Sequence, residues 1–91
     1  MSDILVVSSV GFDKDMISCA NDIILEGFNS IDNFSDLASY IKEYFDKEYE
    51  QKDKDWMVII FPTDDGGAKI AYKDYALICT YKKYKIAIFL N

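Results

Sequence analysis

Between Phe34 and Tyr49 the apolar residues Phe34, Leu37, Ala38, Ile41, Tyr44, Phe45 and Tyr49 recur at steps of three and four. That spacing places them on one face of a helix about four turns long. An earlier run, Met16, Ile17, Ala20, Ile23, Ile24 and Phe28, repeats the period. Asp13 or Asp15 can cap it, because a short acid accepts a free backbone N–H of the first turn. Gly27 and Asn29 tolerate positive φ and are expected to end it. The later helix opens near Ser30–Asp36. Asn33 followed three residues on by Asp36 resembles a capping box with the shorter acid in place of Glu, and Asp32 is an equal candidate for the cap.

Outside these runs the period changes. Ile4–Val7 reads as a first strand. Trp56–Phe61 is apolar at every position, which predicts a strand covered on both faces. Pro62–Gly67 reads PTDDGG, a turn. Ala68, Ile70 and Tyr72 then alternate with Lys69, Ala71 and Lys73, as in a half-exposed strand. Lys73–Asp74 turns, Tyr75–Tyr81 is an apolar strand, Lys82–Lys85 turns again, and Ile86–Leu90 is the last strand. Glu50–Asp55 is charged or polar throughout and reads as a solvated link. The order is β-α-α-β-β-β-β. Helices early and strands late predict an α+β fold in which two N-terminal helices pack on an antiparallel β-sheet. Residues 1–91 form a single domain.

Length and charge narrow the picture. A chain of 91 residues buries only about 60–65% of its unfolded surface, so a second copy would add useful burial. A net charge of −6 makes nucleic acid and anionic membrane surfaces poor partners. Lys82, Lys83 and Lys85 cluster beside Tyr84, and as a sequence they read as a solvated hairpin end. The opening MSDILVVSS lacks the basic start of a signal peptide. No run reaches the roughly 18 apolar residues that suggest a membrane helix. The chain is therefore expected to be intracellular, with Cys19 and Cys79 reduced and buried as inert thiols.

Candidate chemistry is sparse. The chain has no histidine, the commonest general base and metal ligand. The two cysteines lie too far apart for a zinc site. Asp64-Asp65-Gly66-Gly67 lacks the further spaced oxygen ligands that calcium needs and reads as a turn. No phosphate-binding GxxxxGK is present. Ser8-Ser9 has no visible base. The expectation is a protein that is not an enzyme and uses no metal or cofactor. Binding is the better reading: the strand Ala68–Tyr72 follows a glycine turn, and an exposed strand edge invites another extended chain.

The second helix carries a more specific pattern. Leu37-Ala38, Ile41-Lys42, Phe45-Asp46-Lys47 and Tyr49, with Trp56 after a short link, resembles the second helix of the smallest dynein light chains. Cys19-Ala20 is similar to a pair in that family's first helix. Gly67, Ile78 and Tyr81 fall in register with its glycine, isoleucine and tyrosine, and the closing IAIFL is similar to its last strand. The resemblance implies a strand-exchanged homodimer, in which the strand after the glycine turn crosses to the partner's sheet. It implies a peptide-binding groove at Phe34, Ser35, Gly67, Ala68, Lys69, Ile70, Ala71, Tyr72, Leu77, Cys79 and Tyr81. Trp56, Met57, Ile59, Lys69 and Ala71 would stand at the dimer interface. The partners implied are a second copy and short extended segments of other proteins, the dynein intermediate chain among them. The role implied is that of an adaptor in a dynein motor complex, cytoplasmic and associated with microtubules and the cytoskeleton.

The chain departs from that pattern at the groove. Ala68 and Ala71 stand where the family has hydroxyls, Tyr72 where it has histidine, and Leu77 and Cys79 where it has aromatics. Each lost buried hydrogen bond costs about 0.5–1.5 kcal/mol, so the usual ligand is expected to bind weakly. Met57 replaces an interface histidine whose protonation splits the family's dimer. The links at 50–55 and 62–66 are longer than usual. Two alternatives follow: a structural light chain that has lost peptide specificity, and a monomeric domain of the same topology.

Overall fold

The computed structural model describes residues 4–51, 54–62 and 75–90. The expected strand at 68–72 and its flanking turns lie outside the described residues. Strand β1 (Leu5–Val10) leads into helix α1 (Lys14–Ser30) and helix α2 (Phe34–Glu48). Strands β2 (Trp56–Pro62), β3 (Ala76–Tyr81) and β4 (Tyr84–Leu90) follow. The four strands form one antiparallel sheet in the order β1-β3-β4-β2. This is the expected α+β arrangement.

Capping fixes where the helices begin. Asp13 is the cap of α1, its carboxylate accepting the Met16 N–H at 2.9 Å. Asn33 caps α2: its Oδ1 accepts from the Asp36 N–H, and its Nδ2 donates to the Asp36 carboxylate, both at 2.8 Å. The second bond joins the two side chains, where a capping box would return to the backbone N–H of the cap. Gly27 does not end α1, which runs on to Ser30. Gly27 is buried instead, where the helices approach so closely that an added Cβ would lie 2.4 Å from Leu37 Cδ1. It is kept for space, not for its backbone freedom.

The strands are longer than local pattern predicts, because ladder pairing carries them past their apolar runs. β1 extends through Ser8 and Ser9 to Val10 by pairing with β3, with a bulge between Val6 and Ser8. β4 begins at Tyr84, since Tyr81 pairs with Tyr84 and leaves only Lys82 and Lys83 as the turn. Alternation then sorts the faces. Trp56, Leu77, Cys79, Tyr81, Ile86, Ile88 and Leu90 turn inward and join Met16, Ala20, Ile23, Ile24, Leu37, Ile41 and Phe45 from the helices in one core. Each large side chain fully buried there contributes roughly 1.5–3 kcal/mol.

The expectation that Trp56–Phe61 is covered on both faces is corrected by this arrangement. Trp56 is buried, while Met57 and Ile59 are 38% and 39% exposed. The described helices form a single layer, so among the described residues only the inward face of β2 is covered.

Candidate functional site

The candidate site is the face of the sheet turned away from the described helices, together with the outer edge of β2, unpaired among the described residues. Register defines that face. Met57 pairs with Phe89, Ile59 with Ala87, and Phe61 with Lys85. Ala76 pairs with both Phe89 and Val10, and Ile78 with both Ala87 and Ser8. In an antiparallel ladder, directly opposed residues share a face. Met57, Ile59, Phe61, Ile78, Ala87 and Phe89 therefore make a contiguous apolar surface, rimmed by Lys85, Thr80 and Ser8. Ala87, paired with Ile59 on one side and Ile78 on the other, is fully buried there. β2 pairs only with β4 among the described residues, so its outer backbone row is an edge.

The register of that edge is set by α2. Asp46 Oδ1 accepts the Trp56 backbone N–H at 3.0 Å. The Trp56 indole donates to the Tyr49 carbonyl at 2.8 Å. Lys42 Nζ is paired with the same Asp46 carboxylate one turn earlier in α2. That hydrogen bond raises the Lys42 pKa above its ordinary value, against the opposing effect of desolvation. The rings of Phe45 and Phe12 pack on Trp56, with centroids 5.1 and 5.7 Å away. These contacts account for the polar residues of the Lys42…Phe45-Asp46…Tyr49…Trp56 pattern. They fasten the first residue of β2 to the last two turns of α2.

The residues expected in a groove divide. Phe34 and Ser35 lie exposed at the first turn of α2. Leu77 and Cys79 are fully buried and Tyr81 nearly so, on the helix side of the sheet. β3 is an interior strand between β1 and β4, and their side chains join the core within one chain. Gly67, Ala68, Lys69, Ile70, Ala71 and Tyr72 lie outside the described residues. Of the expected interface set, Met57 and Ile59 stand on the open face. Trp56 points the opposite way into its own core, since adjacent strand residues alternate. Lys69 and Ala71 lie outside the described residues.

Burial pushes the Cys79 thiol up to about 12, so it stays neutral. Cys19 is half-buried between the helices, and hydrogen bonding with its thiol, reinforced by burial, raises Tyr44 to about 12 and also raises Tyr49. Among the described residues no three His, Cys, Asp or Glu side chains gather to hold a metal ion. None of the described helices is long and apolar enough to cross a membrane. Sequence reasoning missed a cluster of aromatic rings, Phe28, Phe34, Tyr81 and Tyr84, at the β3–β4 turn. Its only signal in the sequence was aromatic residues at four element ends.

No family model matches the sequence, and no curated protein matches it. Among solved structures, the chain is similar to the dynein light chain-like domain of the Fasciola hepatica calcium binding protein FhCaBP2. The TM-score is 0.76 at 14% identity, over 98% of this chain and 92% of that one. The chain thus has a dynein light chain-like fold.

Proposed function

We propose that this protein is a non-enzymatic homodimeric adaptor that captures short extended peptide segments by strand addition, in the manner of the smallest dynein light chains. The observation that carries the reading is the apolar face of the sheet that no described helix covers, beside a β2 edge that is unpaired among the described residues. A contiguous apolar surface on a small domain is costly to leave in water and marks an interaction site. A second copy presents the same face and can cover it with twofold symmetry. In this reading the strand expected at 68–72 would pair across to the partner's sheet. A peptide then adds to the far side of that strand, near Phe34 and Ser35 at the start of the partner's α2. Backbone pairing gives affinity with little sequence demand, and two sites per dimer raise effective concentration to about millimolar for a dimeric ligand. The dynein intermediate chain is the natural first ligand to test, in a cytoplasmic, microtubule-associated motor complex.

A second reading, a fixed light-chain subunit without peptide specificity, is favoured by one observation. The side chains expected on the groove floor, Leu77, Cys79 and Tyr81, are committed to the core. Light scattering and a peptide array separate the outcomes. A mass near twice 10.5 kDa with enriched extended motifs supports the adaptor. The same mass with no enriched motif supports the fixed subunit. A monomer at micromolar concentration removes both.

A further inference from the structure

In an antiparallel ladder, successive residue pairs alternate. One pair exchanges backbone hydrogen bonds, and in the next the N–H and C=O groups point away from the partner strand. Two bonds show which kind the Trp56–Leu90 pair is. The Leu90 N–H donates to the Tyr75 carbonyl at 3.0 Å, away from β2. The Trp56 N–H donates to Asp46 Oδ1 at 3.0 Å, away from β4. The β2–β4 register then runs from Trp56 to Pro62 without a shift. Val58, Ile60 and Pro62 therefore share the outward direction of Trp56, while Met57, Ile59 and Phe61 direct their backbone groups to β4.

The residues of this outer row are not alike. The Trp56 N–H is taken by Asp46. Pro62 has no N–H, and on this row the lack costs the β2–β4 ladder nothing. Among the described residues, the donors left for an incoming strand are those of Val58 and Ile60. Their side chains pack against the core, so what they present outward is backbone. Lys42 Nζ holds Asp46 Oδ2, which fixes Oδ1 at the start of the edge. A carbonyl of an added strand placed beside Trp56 would meet that carboxylate oxygen, an acceptor, instead of a donor.

We infer that Asp46 is a positioning residue for strand addition. It bars pairing at Trp56, and with Pro62 it confines an added strand to the register that uses Val58 and Ile60. The inference rests on the strand-addition reading above. A second copy is the occupant, because the same strand carries Met57, Ile59 and Phe61 on the adjoining apolar face. A slip of two residues towards Trp56 would keep every side chain on its own face. Side-chain pattern therefore does not prevent that slip, and the Asp46 carboxylate does.

The test is amide hydrogen exchange by NMR on the full chain, with mass followed by light scattering. Met57→Glu with Ile59→Glu supplies the monomeric reference. In the associated wild type, the Val58 and Ile60 amides should exchange about tenfold more slowly than in that reference. Trp56, Met57, Ile59 and Phe61 should be protected in both. In associated Asp46→Ala, Ile60 protection should fall about threefold while Trp56 stays protected by the slipped strand. A merely structural Asp46 would instead expose Trp56 and leave Ile60 unchanged. Asp46→Asn, which keeps an acceptor oxygen, should restore the wild-type pattern. A monomeric wild type overturns the strand-addition reading and this inference with it. An associated wild type whose Val58 and Ile60 amides exchange as fast as in the reference overturns this inference alone. Unchanged Ile60 protection in associated Asp46→Ala does the same.

Discussion

At the scale of single residues, chemistry and space decide more than propensity does. Gly27→Ala gains about 1 kcal/mol of helix propensity, yet the new Cβ meets the buried Leu37 side chain. Overpacking of that kind costs about 1–3 kcal/mol, so net destabilisation is expected in urea titration. Several raised pKa values act together at high pH. Cys79 is raised by burial, Tyr44 first by its hydrogen bond with Cys19, and Lys42 first by its hydrogen bond with Asp46. Each group holds its proton more tightly when folded. Their stabilising contributions are therefore intact below the unfolded values and are lost as pH rises. Stability should begin to fall near pH 9, the ordinary value for a thiol, and continue to fall toward pH 12. Cys79→Val should flatten the first part of that fall, measured by denaturation at stepped pH. Sequence narrowed each cap to two candidates, Asp13 or Asp15 and Asn33 or Asp32, because an N-cap is a local interaction, and the hydrogen bonds select Asp13 and Asn33. The packing role of Gly27 was not, because it depends on a neighbour ten residues away.

At the scale of elements, α2 and β2 act as one unit. Asp46→Ala removes the acceptor for the Trp56 N–H and the partner of Lys42. The expected cost is about 1–3 kcal/mol, with Asp46→Asn milder because its amide oxygen can still accept from the backbone. Chemical denaturation of both variants checks the order. The resemblance in α2 identified these residues without explaining them; the explanation is that they anchor the edge strand. β2 itself was only half legible. Its continuous apolar run suggested burial on both faces, and the chain supplies a cover for one. Met57→Glu with Ile59→Glu is expected to abolish the proposed dimer while helical circular dichroism persists, since both side chains are already partly in water. Light scattering of that variant against wild type gives the outcome.

At the scale of the whole molecule, one layer of helices on one sheet leaves an apolar face that a small domain must hide or use. If two copies hide it, Met57 replaces the histidine that gives the family's dimer its acid sensitivity. The mass should then stay constant from about pH 5 to 7, where a histidine would titrate, and sedimentation across that window measures it. Dissociation with a midpoint near 6 would place the switch on other groups. The sequence by itself determined the two helices, a pair of candidates for each cap, the strand-rich second half and the order of the described elements, because these follow from short-range periodicity and local hydrogen bonding. Only the tertiary structure decided that Leu77, Cys79 and Tyr81 belong to the core, that Trp56 and Met57 face opposite ways, and that Phe34 joins the lysine turn. Those facts depend on strand order and register, which bring residues together from distant parts of the chain and leave no periodic trace in it.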